Sequence, residues 1–326
     1  ASFGGGIQNY NNSSPTLTNC TFTSNSSASD GGGMENSNGS SPTLTNCTFM
    51  NNSSYDDGGG MFNNNNSSPT LTNCTFTDNS SIDGGGMLNI NSSPTLTNCA
   101  LTNNSATYGG GMQNSTNSSP TLVDCTFTDN SALSGGGGME NYNNSSPTLT
   151  NCTFTNNSAD YGGGMENYDN CSPTLTNCTF RNNSAIDGGG ISNYDSPSNP
   201  TLTNTVVCSN SPNQISGDYT DDGGNCITDD CTECSAPDSD GDGVPDDQDI
   251  CPDGDDTVDS DKDGIPDDCE PCLGDINGDG EVDSADIGLL LGEWGNNNPL
   301  VDYNEDGIVG AADIGLLLGA WGVCAP

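Results

Sequence analysis

Residues 31–53 read Gly31-Gly32-Gly33-Met34-Glu35-Asn36-Ser37-Asn38-Gly39-Ser40-Ser41-Pro42-Thr43-Leu44-Thr45-Asn46-Cys47-Thr48-Phe49-Met50-Asn51-Asn52-Ser53. The same sentence recurs through residues 1–216, its prolines standing at Pro15, Pro42, Pro69, Pro94, Pro120, Pro147, Pro173 and Pro200, 25 to 27 residues apart. A period that short cannot enclose a core of its own, so successive copies must stack and share one. The chain is read as a solenoid.

Within a copy, Pro-Thr-Leu-Thr-Asn-Cys-Thr-Phe-Thr alternates small polar residues with Leu17, then with Cys20 and Phe22, the period of a strand with one buried face. Asn19 breaks the alternation, and asparagine tolerates the left-handed backbone that a sharp bend between two strands requires. A third strand is expected after each glycine triplet, where Ile7, Met34, Met61, Met87, Met112, Met139, Met165 and Ile191 supply the buried side chain. The intervening segments, such as Asn11-Asn12-Ser13-Ser14, are turn-formers with no apolar period. Three strands and three turns per coil make a mainly β protein, a parallel β-helix of about eight coils.

Phe22/Asn25, Phe49/Asn52, Phe76/Asn79, Phe127/Asn130, Phe154/Asn157 and Phe180/Asn183 set a Phe-x-x-Asn signature beside the glycine triplets, with Leu101/Asn104 and Val207/Asn210 as variants. Together these resemble the repeats of chlamydial-type polymorphic outer membrane proteins. The resemblance implies a right-handed parallel β-helix on a secreted or surface protein.

Only Arg181 and Lys262 stand against 45 acidic residues, and there is no histidine, for a net charge of −43. Nucleic acid and anionic membrane surfaces are excluded as partners on electrostatic grounds, and divalent cations are the natural counter-charge. No run of eighteen apolar residues exists to insert directly into a membrane. Ala1 leads almost at once into a glycine triplet, as at a mature end left by a signal peptide, or at the edge of a fragment.

Sixteen cysteines point to an oxidising, extracellular setting. Cys20, Cys47, Cys74, Cys99, Cys125, Cys152 and Cys178 hold one position per coil, facing inward beside leucine and phenylalanine. They read as a ladder of buried thiols acting as apolar filler, or as disulfides between coils spaced about 4.8 Å apart. Cys171, Cys208, Cys226, Cys231, Cys234, Cys251, Cys269, Cys272 and Cys324 sit mostly where the repeat gives way to small acidic modules, which need staples. The expected pairs are Cys208–Cys226, Cys251–Cys269 and Cys272–Cys324, with a local disulfide between Cys231 and Cys234.

After a Cys-rich connector over 217–237, residues 238–271 place carboxylates at every second position before a turn-permitting glycine, so that oxygens converge on a hard cation. This segment resembles thrombospondin type 3 repeats. The resemblance implies calcium held by Asp238, Asp240, Asp242, Asp246 and Asp249, then by Asp259, Asp261, Asp263 and Asp267.

Residues 272–326 duplicate themselves at a spacing of 27, each copy a loop with acidic or amide oxygens at positions 1, 3, 5 and 12, glycine at 6 and an apolar residue at 8. With aspartate at position 12 and only the exiting helix evident, the pair resembles a type I dockerin. That match implies calcium held by Asp275, Asn277, Asp279, Asp283 and Asp286, and by Asp302, Asn304, Asp306 and Asp313, with a cohesin-like protein as partner. Modules ending Leu-Leu-Leu-Gly-x-Trp-Gly also resemble the C-terminal ends of planctomycete-like secreted proteins. Trp294 and Trp321 are expected to pack between the two helices.

Catalysis is not expected: every coil looks too alike for a singular site, and the aspartates Asp30, Asp57, Asp83, Asp160 and Asp187 mark a repeated turn. Thr16/Thr18, Thr43/Thr45, Thr70/Thr72, Thr95/Thr97, Thr148/Thr150, Thr174/Thr176 and Thr201/Thr203 face outward in two ranks resembling the ice-binding face of insect antifreeze proteins. Plain strand propensity explains them equally. Glycan attachment at Asn12, Asn19, Asn46, Asn73, Asn151 and Asn177 is a third option, although the corner asparagines are expected to be buried. The leading expectation is an extracellular structural or adhesive rod. It self-associates into a filament or surface array through its uncapped β-helix end and its calcium-bound dockerin-like module, or binds a cohesin-like protein or surface glycan; an ice- or carbohydrate-binding rod is the alternative, and a polysaccharide-active β-helix enzyme the last.

Overall fold

In the computed structural model residues 3–194, 198–234, 276–277, 281–298, 301–304, 306–319 and 322–323 are described. The chain divides into two units, Ala1–Cys234 and Ser235–Pro326.

The first unit is a right-handed parallel β-solenoid built from three nine-stranded sheets. The first sheet collects the strands that follow the glycines, from Ile7–Tyr10 and Met34–Ser37 through Met139–Tyr142, Met165–Tyr168 and Ile191–Tyr194 to Ile215–Ser216. The second stacks the Thr-Leu-Thr strands from Thr16–Thr18 to Thr201–Thr203 and ends on Thr220–Asp221. The third runs from Thr21–Thr23 to Val206–Cys208 and Cys226–Thr228. Equivalent residues pair in register, Leu44 with Leu71 and Phe49 with Phe76. A shortened ninth coil thus follows the eight complete ones, and its strands carry the ladder to Thr228, within the Cys-rich stretch.

The corners form as the sequence demands: Asn19, Asn46, Asn73, Asn98 and Asn151 all have φ between 52° and 55°. These asparagines are exposed rather than buried, because the bend turns their side chains outward, where Asn46 Nδ2 donates to Asn19 Oδ1 at 3.1 Å. The glycines answer a packing demand as well as a conformational one. A Cβ on Gly163 would lie 2.5 Å from the Ser184 carbonyl oxygen and 2.7 Å from that of Gly189, both backbone atoms of the next coil.

Inside, each coil contributes one Met or Ile, one Leu, one Phe or its equivalent and, in all but the eighth, where Thr205 stands, one Cys to a single continuous core. Phe22, Phe49 and Phe76 stack with ring centroids 4.6 and 4.7 Å apart, and Phe127, Phe154 and Phe180 repeat the arrangement at 4.5 Å on the far side of Leu101. Polar columns are buried beside these apolar ones. Asn157 Oδ1 accepts from the backbone N–H and the side-chain amide of Asn130 at 2.9 and 3.0 Å, while Asn157 Nδ2 donates to Phe127 O and Asn183 Oδ1, both at 2.9 Å. The same pattern repeats from Asn25 to Asn210, where Gln214 Oε1 takes the place of a further asparagine and ends the ladder. A second buried column runs Asn36, Asn63, Asn89, Asn114, Asn141, Asn167 and Asn193.

The cysteine ladder from Cys20 to Cys178 consists of free thiols, buried in every coil but the first. The in-register geometry points neighbouring thiols the same way, and each S–H turns to a backbone carbonyl, as Cys47 does to Thr45 O at 3.4 Å. Cys171, expected with the connector cysteines, is instead a free thiol buried in a serine column, accepting from Ser145 N at 3.2 Å. Burial pushes the thiols of Cys47 and Cys171 up, the latter to about 11. Alkylation of the native protein followed by peptide mapping should therefore label Cys20 and leave Cys47 through Cys178 unmodified until the chain is unfolded. Rapid labelling of Cys99 or Cys125 under native conditions would contradict the buried ladder.

The disulfides differ from expectation. Cys208 pairs with Cys231, and Cys226 with Cys234, in place of Cys208–Cys226 and Cys231–Cys234. The reason is the ninth coil: Cys208 and Cys226 lie in adjacent strands at register positions two residues out of step, Cys208 opposite Thr228 and Cys226 opposite Val206. The short 3-10 turn Cys231–Glu233 then folds back to deliver both partners. Cys251–Cys269 and Cys272–Cys324 lie outside the described residues.

In the second unit two helices, α1 (Ser284–Gly292) and α2 (Ala311–Gly319), pack Leu290 and Leu317 against Val282, Val301 and Val309. Asp283 caps α1 with its side chain accepting from Ala285 N, and Asp286 returns the bond to Asp283 N. Trp294 is 50% exposed and outside this core, because the small module is filled by its valines and leucines. Trp321 lies outside the described residues.

Candidate functional site

The uniformity of the coils breaks on the first sheet. The residue after each buried Met or Ile points outward, and that column reads Gln8, Glu35, Phe62, Leu88, Gln113, Glu140, Glu166, Ser192. Two positions further along each strand, Tyr142, Tyr168 and Tyr194 pair in register. On the other side of the column, ahead of the glycines, stand Asp83, Tyr108, Gly135 and Tyr161, bridged coil to coil. These three columns bound a cavity of about 510 Å³ with Gln113, Glu140 and Glu166 among its lining residues.

The walls are ordered by ring packing. Tyr142 and Tyr168 stack at 5.4 Å, Tyr168 and Tyr194 lie 5.6 Å apart, and Tyr161 meets Tyr194 at 6.2 Å across a 53° tilt. Between them the two carboxyl groups are drawn out of water, Glu140 to 6% and Glu166 to 8% exposure. Gln113 Nε2 donates to Glu140 Oε2 at 2.7 Å. Glu166 has room only because residue 135 is glycine: a Cβ there would sit 1.6 Å from Glu166 Oε2.

Burial, reinforced by the charge of Glu166, holds the Glu140 carboxyl well above the usual range, and burial pushes Glu166 from 4.5 up to about 7. Along the same edge, burial and the neighbouring Asp30, Asp83 and Asp56 push Asp57 up to about 7, and burial raises Asp83 as well. The folded solenoid therefore keeps a proton on Glu166 over a range in which the unfolded chain has released it. The contribution of Glu166 is full below about pH 4.5 and is lost as pH rises through about 7, about 3 kcal/mol at 1.36 kcal/mol per tenfold change in proton affinity. Denaturant melts of the native protein at pH 5 and pH 8 should show the higher stability at pH 5, and Glu166→Gln should flatten that difference. A variant that keeps the full difference would contradict the assignment.

The C-terminal loops present oxygen differently. In the second loop Asp302 Oδ1 is buried without a hydrogen-bond partner, while Asp302 Oδ2 accepts from Gly307 N at 2.9 Å. Gly307, at loop position 6, has φ +88°, the conformation that favours glycine. Asp313 accepts from Asn304 N and Gly310 N at 3.1 and 2.7 Å, and those bonds, Gly310's first, hold its carboxyl below the usual range. Asn304 and Asp306 bond one another. An orphaned buried carboxylate oxygen in an acidic loop fits a hard cation, and Asp302, Asn304, Asp306 and Asp313 are the residues that would hold it.

In the first loop Asp286 accepts from Ile276 N at 2.8 Å and Asn277 N at 3.2 Å, and Asp283 is committed to the helix cap. Asp275 and Asp279 lie outside the described residues, as do Asp238, Asp240, Asp242, Asp246, Asp249, Asp259, Asp261, Asp263 and Asp267. Among the described residues no group of three Cys, Asp or Glu side chains converges as a metal site.

The groove was not anticipated. Its signals were departures from the repeat, a fourth glycine at Gly135 and tyrosine in place of aspartate at Tyr108 and Tyr161, beside glutamates on two successive coils at Glu140 and Glu166. Arg181, the basic residue of the solenoid, sits exposed at the end of Thr179–Arg181 on the third sheet, away from the groove on the first.

No curated protein and no solved structure matches the chain. The model of the right-handed β-helix region matches residues 1–93 and 84–233, which spans the whole solenoid. Such folds serve both enzymes and non-enzymes. By its stacked coils and by this match, the chain belongs to the right-handed β-helix family.

Proposed function

We propose that this protein is a non-catalytic extracellular scaffold, a rigid β-helical rod coupled to a surface or to further copies of itself through a calcium-loaded C-terminal module. The observation that carries the reading is the duplicated exposure of large apolar side chains on that module. Leu289 and Leu291 on α1 and their counterparts Leu316 and Leu318 on α2 are each 43–50% exposed, with Trp294 at 50% and Ile308 at 57%. Among the described residues this unit buries five valines and leucines and leaves these outside, the leucines recurring at a spacing of 27, as a docking surface would.

Calcium enters through the loops that set the helices. Ligation at Asp302 and Asp313 would fix the start of α2 and so the orientation of Leu316 and Leu318. A cohesin-like domain, a surface glycan and a second copy of the chain are the partners considered, and self-association is the one tested first. Sedimentation velocity of the full chain should show larger species in calcium and monomers in chelator, and Asp302→Asn with Asp313→Asn should abolish the difference. Identical profiles in calcium and chelator would count against coupling through this module.

The exposure of the threonine rank favours a second reading, a ligand-binding rod. Thr16, Thr43, Thr70, Thr95, Thr121, Thr148 and Thr174 are exposed in register along one flat sheet, a repetitive hydroxyl surface suited to ice or carbohydrate. Thermal hysteresis of the purified chain separates the ice-binding form of this reading from the scaffold.

A further inference from the structure

The glutamate column poses an electrostatic problem that its own neighbours do not solve. Glu35, in the same column, accepts from Ser37 Oγ at 3.0 Å and Gln8 Nε2 at 2.9 Å. Glu140 has Gln113. Glu166, only 8% exposed, accepts a hydrogen bond from no described residue and faces the cavity, one rung from a second buried carboxyl. Arg181 lies on another sheet, so the solenoid supplies no positive charge here, and the pair either keeps its protons or takes a cation from outside.

The walls indicate which kind. A hard divalent cation takes six to eight oxygens, whereas the groove offers two adjacent carboxyls, with Asp83 at its edge, and a set of tyrosine rings, and among the described residues no three such groups converge to hold a metal. An ammonium group needs acceptors for three N–H donors, and its carbon stem gains from aromatic walls and ring faces. Rungs lie about 4.8 Å apart, close enough for one ammonium to reach both carboxylates.

We propose that this groove is a binding site for a primary-amine ligand, its ammonium seated between Glu140 and Glu166 and its stem against Tyr142, Tyr168 and Tyr161. The site is independent of the C-terminal module and of the scaffold reading. Gly135 is the positioning residue: lacking a Cβ, it lets the Glu166 carboxyl lie against the backbone of the preceding coil. The net charge of −43 draws cations toward the whole surface, so a specific site must show itself by stoichiometry and by side-chain dependence.

The test is calorimetric titration of the full chain at physiological salt and fixed calcium, with 1,4-diaminobutane as a free alkylamine and glucosamine as the unit of a cationic polysaccharide. The expected result is saturable one-to-one binding of at least one of these amines, with the tighter one identifying the source. Binding should weaken about thirtyfold or more in Glu166→Gln and in Glu140→Gln, where a buried charge pair loses one partner. Glu35→Gln should bind as the native protein does, and circular dichroism should confirm that each variant keeps the β-helix. The proposal is overturned if neither amine saturates at one site, if Glu166→Gln and Glu140→Gln bind unchanged, or if neutral 1,4-butanediol or calcium occupies the groove as tightly.

Discussion

Asn157→Ala should destabilise the solenoid by about 4 kcal/mol, whereas Asn156→Gly, one residue earlier, should leave stability nearly unchanged. The buried asparagine serves two coils at once. Its loss leaves the Asn130 backbone N–H and one N–H of the Asn130 amide, whose other bond goes to Leu101 O, without an acceptor, and removes the side-chain donor to the Phe127 carbonyl. All three sites are sealed from water, and each orphaned buried group costs about 1–3 kcal/mol. Asn156 is exposed with φ 58°, a conformation that glycine adopts without strain. Urea unfolding of both variants beside the native protein checks the pair. Equal stabilities would mean that the asparagine ladder is decoration on a structure held by its apolar columns.

Gly163→Ala should have a comparable effect, about 3 kcal/mol or more, for a different reason. The added methyl would meet Ser184 O at 2.5 Å, Ser184 N at 2.7 Å and Gly189 O at 2.7 Å. None of these is a side chain that could swing aside, so relief requires separating two coils that share backbone hydrogen bonds such as Gly163 N to Gly188 O. The matched control is Gly315→Ala in α2, where a Cβ meets nothing within 4 Å. There the substitution should stabilise the helix by about 0.5–1 kcal/mol. Thermal melts that rank Gly163→Ala as mild would contradict the close stacking of the glycine segments.

The physical difference between these two sites also explains what could be read in advance. Strand positions were legible because Leu17, Cys20, Phe22 and Met34 repeat at fixed offsets, and an in-register stack makes every coil a repetition of the same evidence. The Asn19-type corners were legible because few residues accept positive φ. Their exposure was not, since a left-handed residue can turn its side chain either way. The Phe-x-x-Asn asparagines were seen as a signature, but their role as a buried amide ladder was hidden. Asparagine is polar by composition, and only the stacked neighbour shows that its hydrogen bonds are met inside.

Disulfide connectivity failed for a related reason. Pairing depends on register between coils, and spacing in the chain does not report that Cys208 stands opposite Thr228. The groove was hidden by the very regularity that revealed the fold. Reading the repeat as a consensus averaged out Gly135, Tyr108 and Tyr161, departures in their column, and the adjacent glutamates Glu140 and Glu166 in a column that varies from coil to coil, and these gather in one place. Trp294 was assigned to the interior by size and hydrophobicity, yet the small module had no room for it.

The scaffold reading rests on the repeated coils of the first unit and the duplicated exposed leucines of the second. Electron microscopy of the native full chain, at high concentration in calcium and again after chelation, tests it most directly. The account predicts ordered filaments or arrays in calcium that disperse when it is removed. Separate, unassociated particles in both conditions would contradict it.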